Sequence, residues 1–137
     1  MKKLILTIFS ILFITFTINA QKISPKLSDE IKFSTNSDKL FSSSQVVLDK
    51  LIIKMKNDTS IYIQITGYAD NIDGRAAYNS KLAQKRANAV KKYITDKGII
   101  EKRLSIEKLD YSSPETLKKL KKLNTNRKID IREVIDN

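Results

Sequence analysis

The residues with the most chemistry in this 137-residue chain lie in one loop and on the helix that follows it. Gly67 and Gly74 bracket Asp70, Asn71 and Asp73, and Arg86 lies further along. Two acids in one loop invite acid–base work or a cation site. The calcium reading fails on spacing, because placing Asp73-Gly74 at the fifth and sixth loop positions puts Ala69 at position one and Ser80 at position twelve. The chain has no Cys and no His. That removes thiolate nucleophiles, disulfides, zinc centres, His- or Cys-ligated haem and the Ser-His-Asp triad. With no nucleophile–base pair beside Asp70 and Asp73, neither catalysis nor a cofactor or metal is expected.

These groups need elements to hold them. Ile61 to Thr66 is the strongest strand, with Ile61, Ile63 and Ile65 on one face, and Gly67 ends it. After the loop, a long helix is expected from Ala76 to Asp96, stopped by Gly98. Its apolar stripe is Leu82, Ala83, Ala87, Val90 and Ile94. Arg86 falls in or beside that stripe, four residues from both Leu82 and Val90. A partly buried guanidinium is costly without a partner, and the strand–loop–helix return brings Asp70 near. The spacing is compatible with a structural Asp70–Arg86 salt bridge, an Arg that reaches out to water, or a ligand-holding pair.

Around this centre, Ile31 and Phe33 alternate as a brief opening strand, and Asn36-Ser37-Asp38 form a turn. Ser42 to Ser44 offer helix N-caps, with Ser42 and Gln45 at capping-box spacing. Val47, Leu48, Leu51, Ile52 and Met55 then mark a helix that ends at Asn57-Asp58-Thr59. Arg103 to Leu109 is expected as a strand, Pro114 opens a Lys-rich helix lined by Leu117, Leu120 and Leu123, and Ile129 to Arg132 closes as a strand. The fold class is α+β, a β-α-β-α-β-(α)-β sandwich with helices packed on one mixed sheet.

Residues 1–20 have the layout of a secretory signal peptide, with Lys2 and Lys3 before an apolar run from Leu4 to Phe16 and Ala20 before the cut. That run falls short of the roughly 20 residues that span a bilayer. No Cys follows it to take a lipid. Residues 21–30 are expected as a short polar tether and 31–137 as one domain. The formal charge is +11. For an exported protein this favours anionic envelope surfaces or carboxylate-bearing polymers as partners, not nucleic acid. The lysines from Lys118 to Lys122 read mainly as a solvated face.

Gly67-Tyr68-Ala69-Asp70, Gly74, Asn79, Leu82-Ala83, Arg86-Ala87 and Val90 resemble the central motif of the OmpA-like peptidoglycan-binding domain, G-H-T-D-x-x-G-x-x-x-x-N-x-x-L-S-x-x-R-A-x-x-V. Asn126-Arg127-Lys128-Ile129-Asp130-Ile131 is similar to its N-R-R-V-E-I strand, and the likeness runs from about Ile31 to Ile131. It implies a domain that grips the diaminopimelate of the peptidoglycan stem peptide without cutting it. The family's binding Asp and Arg fall on Asp70 and Arg86. A carboxylate beside a guanidinium complements the ammonium and carboxylate that diaminopimelate carries on one carbon, and the Arg fork can donate two parallel hydrogen bonds.

By the same resemblance, Asn79 binds ligand or shapes the loop, Asn36 lines the opposite wall, and Asn126 and Arg127 brace the pocket beside Gly67 and Gly74. The chain departs from the family at Tyr68, Ala69 and Ala83, at one extra residue before Gly74, and at Leu109-Asp110-Tyr111, which replaces glycines. The expectation is a periplasmic peptidoglycan binder associated with the outer membrane or with other envelope proteins. The other reading is an assembly subunit that keeps this fold without the ligand.

Overall fold

The computed structural model describes residues 25–69, 75–122 and 128–134. The proposed signal peptide, Asp70 to Gly74, and Leu123 to Arg127 lie outside the described residues. The elements are α1 (Pro25–Glu30), α2 (Ser42–Asn57), β1 (Tyr62–Gly67), α3 (Ala76–Asp96), a 3-10 turn (Glu101–Arg103), β2 (Leu104–Glu107), α4 (Pro114–Lys122) and β3 (Ile129–Val134). Among the described residues no helix is long and apolar enough to cross a membrane.

β1 is the central strand of a mixed three-stranded sheet in the order β2-β1-β3. It pairs parallel with β2, Ile65 opposite Ile106, and antiparallel with β3, Ile65 opposite Ile131. The alternation of isoleucines turns Ile61, Ile63 and Ile65 into the core, where they meet Leu48, Leu51, Ile52 and Met55 of α2 and Ala87, Val90 and Ile94 of α3. Burying side chains of this size contributes about 1.5–3 kcal/mol each. The expected bounds of α3 are those observed, and Gly98 takes the positive φ of 100° that follows its last turn.

Three local expectations are corrected. The tether is, from Pro25 onward, helix α1, which runs beside β3. Ser28 is fully buried there; its hydroxyl accepts the Ile131 N–H at 2.9 Å and faces Asp130 Oδ1 at 3.3 Å. β3 is an edge strand, and this contact satisfies a backbone donor that the sheet leaves unpaired. The opening strand is reduced to one bridge, Phe33 to Leu40. At the start of α2 the N-cap is Phe41, with no side-chain cap, so the Ser42–Gln45 capping box does not form. Ser44 serves another purpose: its hydroxyl accepts the Lys32 N–H at 2.7 Å, fastening the entry segment to α2.

The other end of α2 is held by Arg103, only 7% exposed. Its guanidinium donates to the carbonyls of Ile61, Met55 and Asp58 at 2.8–2.9 Å. Helix ends leave carbonyls without intrahelical donors, and a planar fork satisfies several at once.

Candidate functional site

The candidate site lies where β1 ends. Gly67 is required there for a close approach, because a Cβ at that position would stand 1.9 Å from the Ala83 carbonyl oxygen of α3. The bare backbone lets α3 seat directly on the strand exit. Asn79, Leu82, Ala83 and Arg86 are all buried on one face of α3, at the three- and four-residue steps that align side chains on a helix.

Arg86 is 3% exposed. Its Nη1 donates to the Tyr68 carbonyl at 2.8 Å and its Nε donates to the Ser37 carbonyl at 3.0 Å. The guanidinium carbon lies 5.4 Å from the centre of the Phe33 ring, a cation–π distance. One side chain therefore joins α3, the exit of β1 and the 33–40 turn, and two carbonyls fix the orientation of its plane. The sequence left open whether this Arg reaches out to water, and burial excludes that. Asp70, two residues past Tyr68, lies outside the described residues.

The facing wall is the turn at Asn36. Among the described residues Asn36 is the one non-glycine with positive φ, at 50°. Asn tolerates the left-handed region better than most side chains. The turn closes with the Ser37 N–H donating to the Ser34 carbonyl at 3.1 Å. A cleft of about 260 Å³ separates it from α3, lined by Asn36, Ser37 and Asp38 on one side and by Tyr78, Lys81, Leu82 and Lys85 on the other. Four expected residues, Asn36, Gly67, Asn79 and Arg86, thus gather around one strand end. Asn79 is 5% exposed, buried on the α3 face that carries Arg86. Gly74, Asn126 and Arg127 lie outside the described residues.

Sequence reasoning missed how this end is braced. Tyr68, Ala69, Leu82, Ala83, Leu109 and Tyr111 form an apolar cluster of their own. The buried Tyr111 hydroxyl accepts the Ala69 N–H at 2.8 Å, fixing the backbone one residue before Asp70. All the described positions that depart from the family motif, Asp110 aside, meet in this cluster. Asp110 is turned outward, and the Ser112 hydroxyl and backbone N–H hold its carboxyl below the usual range. Periodicity gave no sign of Tyr111, since it stands in a turn. Phe33 beneath Arg86 was legible only as a strand residue.

Among described residues no group of three or more His, Cys, Asp or Glu side chains is placed to hold a metal ion. What the described residues offer is a shielded cation held in a fixed orientation at the end of β1.

Comparison with known proteins bears on the same region. The OmpA family model matches residues 32–128. Outer membrane protein A of Buchnera aphidicola subsp. Schizaphis graminum is 40% identical over 83 residues, covering 59% of this chain and 24% of that protein. Outer membrane protein A of Klebsiella pneumoniae is 34% identical over 94 residues, covering 66% of this chain and 26% of that one. The chain thus spans about a quarter of the length of these relatives. The fold is shared with the peptidoglycan-associated lipoprotein of Burkholderia pseudomallei, at TM-score 0.61 and 24% identity over 76% of this chain and 88% of that one. It is shared too with the C-terminal domain of Helicobacter pylori MotB, at TM-score 0.59 and 17% identity over 83% of this chain and 86% of that one. With the family model covering most of its length, and with the α+β arrangement of its solved counterparts, this chain belongs to the OmpA family, whose domains are non-catalytic.

Proposed function

We propose that this protein binds the peptide stem of peptidoglycan, through diaminopimelate, in the bacterial envelope, and so tethers or stabilises that envelope. One observation carries the reading. Arg86 is buried at the end of β1, its guanidinium plane fixed by the carbonyls of Ser37 and of Tyr68, which precedes Asp70 by two residues in the sequence. A pre-oriented guanidinium loses little freedom on meeting a carboxylate, which is how a small site gains affinity. Asp70 supplies the charge for the ligand ammonium, while Asn79 and Asn36 shape the two walls. OmpA-like domains generally bind peptidoglycan, and the relatives are outer membrane and envelope proteins, which supports the assignment. Export to the periplasm through residues 1–20 belongs to the same reading.

Co-sedimentation of the purified protein with peptidoglycan sacculi tests it, beside Asp70→Ala and Arg86→Ala variants of verified fold. At 1 M salt, where diffuse charge is screened, wild type should pellet and both variants should stay in the supernatant. If wild type also stays in solution at low salt, peptidoglycan is not the ligand, and the fold serves contacts with other envelope proteins. If the variants pellet like wild type, the pocket is elsewhere.

A further inference from the structure

The cleft beside Arg86 has a chemistry of its own. Lys81 and Lys85 stand one turn apart on α3 and both line it, together with Leu82. Both lysines are exposed, and among the described residues neither has a carboxylate within 4 Å. Like charges four apart on a helix repel, so this pair is a local conflict that a bound anion would relieve. Among the described residues Asp38, on the opposite wall, is the one acid that lines the cleft, which leaves the described lining net positive. Tyr78, 42% exposed, adds an aromatic surface at the same opening.

The cleft shares one residue, Ser37, with the site proposed above. Ser37 lines it, and the Ser37 carbonyl is what the Arg86 Nε holds at 3.0 Å. A ligand group anchored at Arg86 therefore lies beside the mouth of a cationic cleft with a wall in common.

The geometry points to a second anion subsite: Lys81 and Lys85 take a further free carboxylate of the same stem peptide, so the protein discriminates against stems whose carboxylates are amidated. This rests on the peptide-binding reading and refines its substrate class. The lysines are solvent-exposed, so each contributes modestly, and together they give about a three- to tenfold preference near physiological salt.

The test titrates the purified protein with a diaminopimelate-containing stem tetrapeptide in two forms. In one form the carboxylates outside diaminopimelate are free, and in the other they are carboxamides. Wild type should bind the free form about three to ten times more tightly. The Lys81→Gln/Lys85→Gln double variant should bind both forms with the affinity wild type shows for the amidated one. Lys50→Gln, which removes an exposed charge from α2, should keep the preference of wild type. Equal binding of the two forms by wild type, or a preference that survives in the double variant, overturns the subsite and leaves the peptide-binding reading standing. No binding of either form overturns both.

Discussion

Removing the guanidinium of Arg86 should have two separable consequences. The Tyr68 and Ser37 carbonyls lose their donor, and Tyr68 is only 2% exposed, so water cannot readily replace it. An acceptor stranded in this way costs about 1–3 kcal/mol. Arg86→Ala should lower the urea midpoint by a corresponding amount. Arg86→Lys restores the charge but lacks the fork that reaches two carbonyls, so it should recover only part of the stability and little of the sacculus binding. A variant with full stability and full binding would show that the guanidinium shape is irrelevant. Gly67→Ala probes a purely steric demand at the same strand exit. Its new methyl carbon would meet backbone of Ala83, which cannot rotate away, so α3 must shift. A loss of about 1–3 kcal/mol is expected, and unchanged stability would mean that the seat of α3 is looser than these distances require.

At the scale of elements, the parts legible in the sequence were those whose periodicity is set by the core. α3 and β1 carry long runs with one apolar face, and burial in a common core enforces that pattern. The misread parts owe their structure to partners distant in sequence. α1 has six residues, too few to hold a helix alone, and nothing local announces that Ser28 meets Ile131 across the fold. Ser42 had the right residue type for a cap, but the chain enters α2 through Phe41 and uses Ser44 to fasten residue 32 instead. The candidate site divides in the same way. Arg86 was visible as an intruder in an apolar stripe, whereas two of its partners, the Tyr68 and Ser37 carbonyls, are groups that every residue carries and no sequence marks. Ser28→Ala tests the α1 contact directly. The Ile131 N–H would lose its acceptor, so its hydrogen exchange should accelerate and stability should fall by about 1–3 kcal/mol. Unaltered exchange at Ile131 would mean that α1 does not seal the β3 edge.

For the whole molecule, the question is how a formal charge of +11 shares the work with the buried Arg86. A basic protein will adhere to an anionic wall without any pocket, because the summed field draws it in. The two contributions respond differently to salt. Screening shortens the range of exposed charges from about 8 Å at 0.15 M ionic strength to about 3 Å at 1 M, while a shielded contact is screened much less. Lys118, Lys121 and Lys122 are exposed on α4, at a distance in sequence from the β1 exit, and stand for the diffuse contribution. Replacing these three by Gln should reduce sacculus retention at low salt and have little effect at 1 M. Arg86→Ala should show the reverse pattern, with residual retention at low salt that vanishes at 1 M. Retention that decays with salt identically in wild type and Arg86→Ala would assign the whole interaction to surface charge, and the pocket at the end of β1 would then need another ligand.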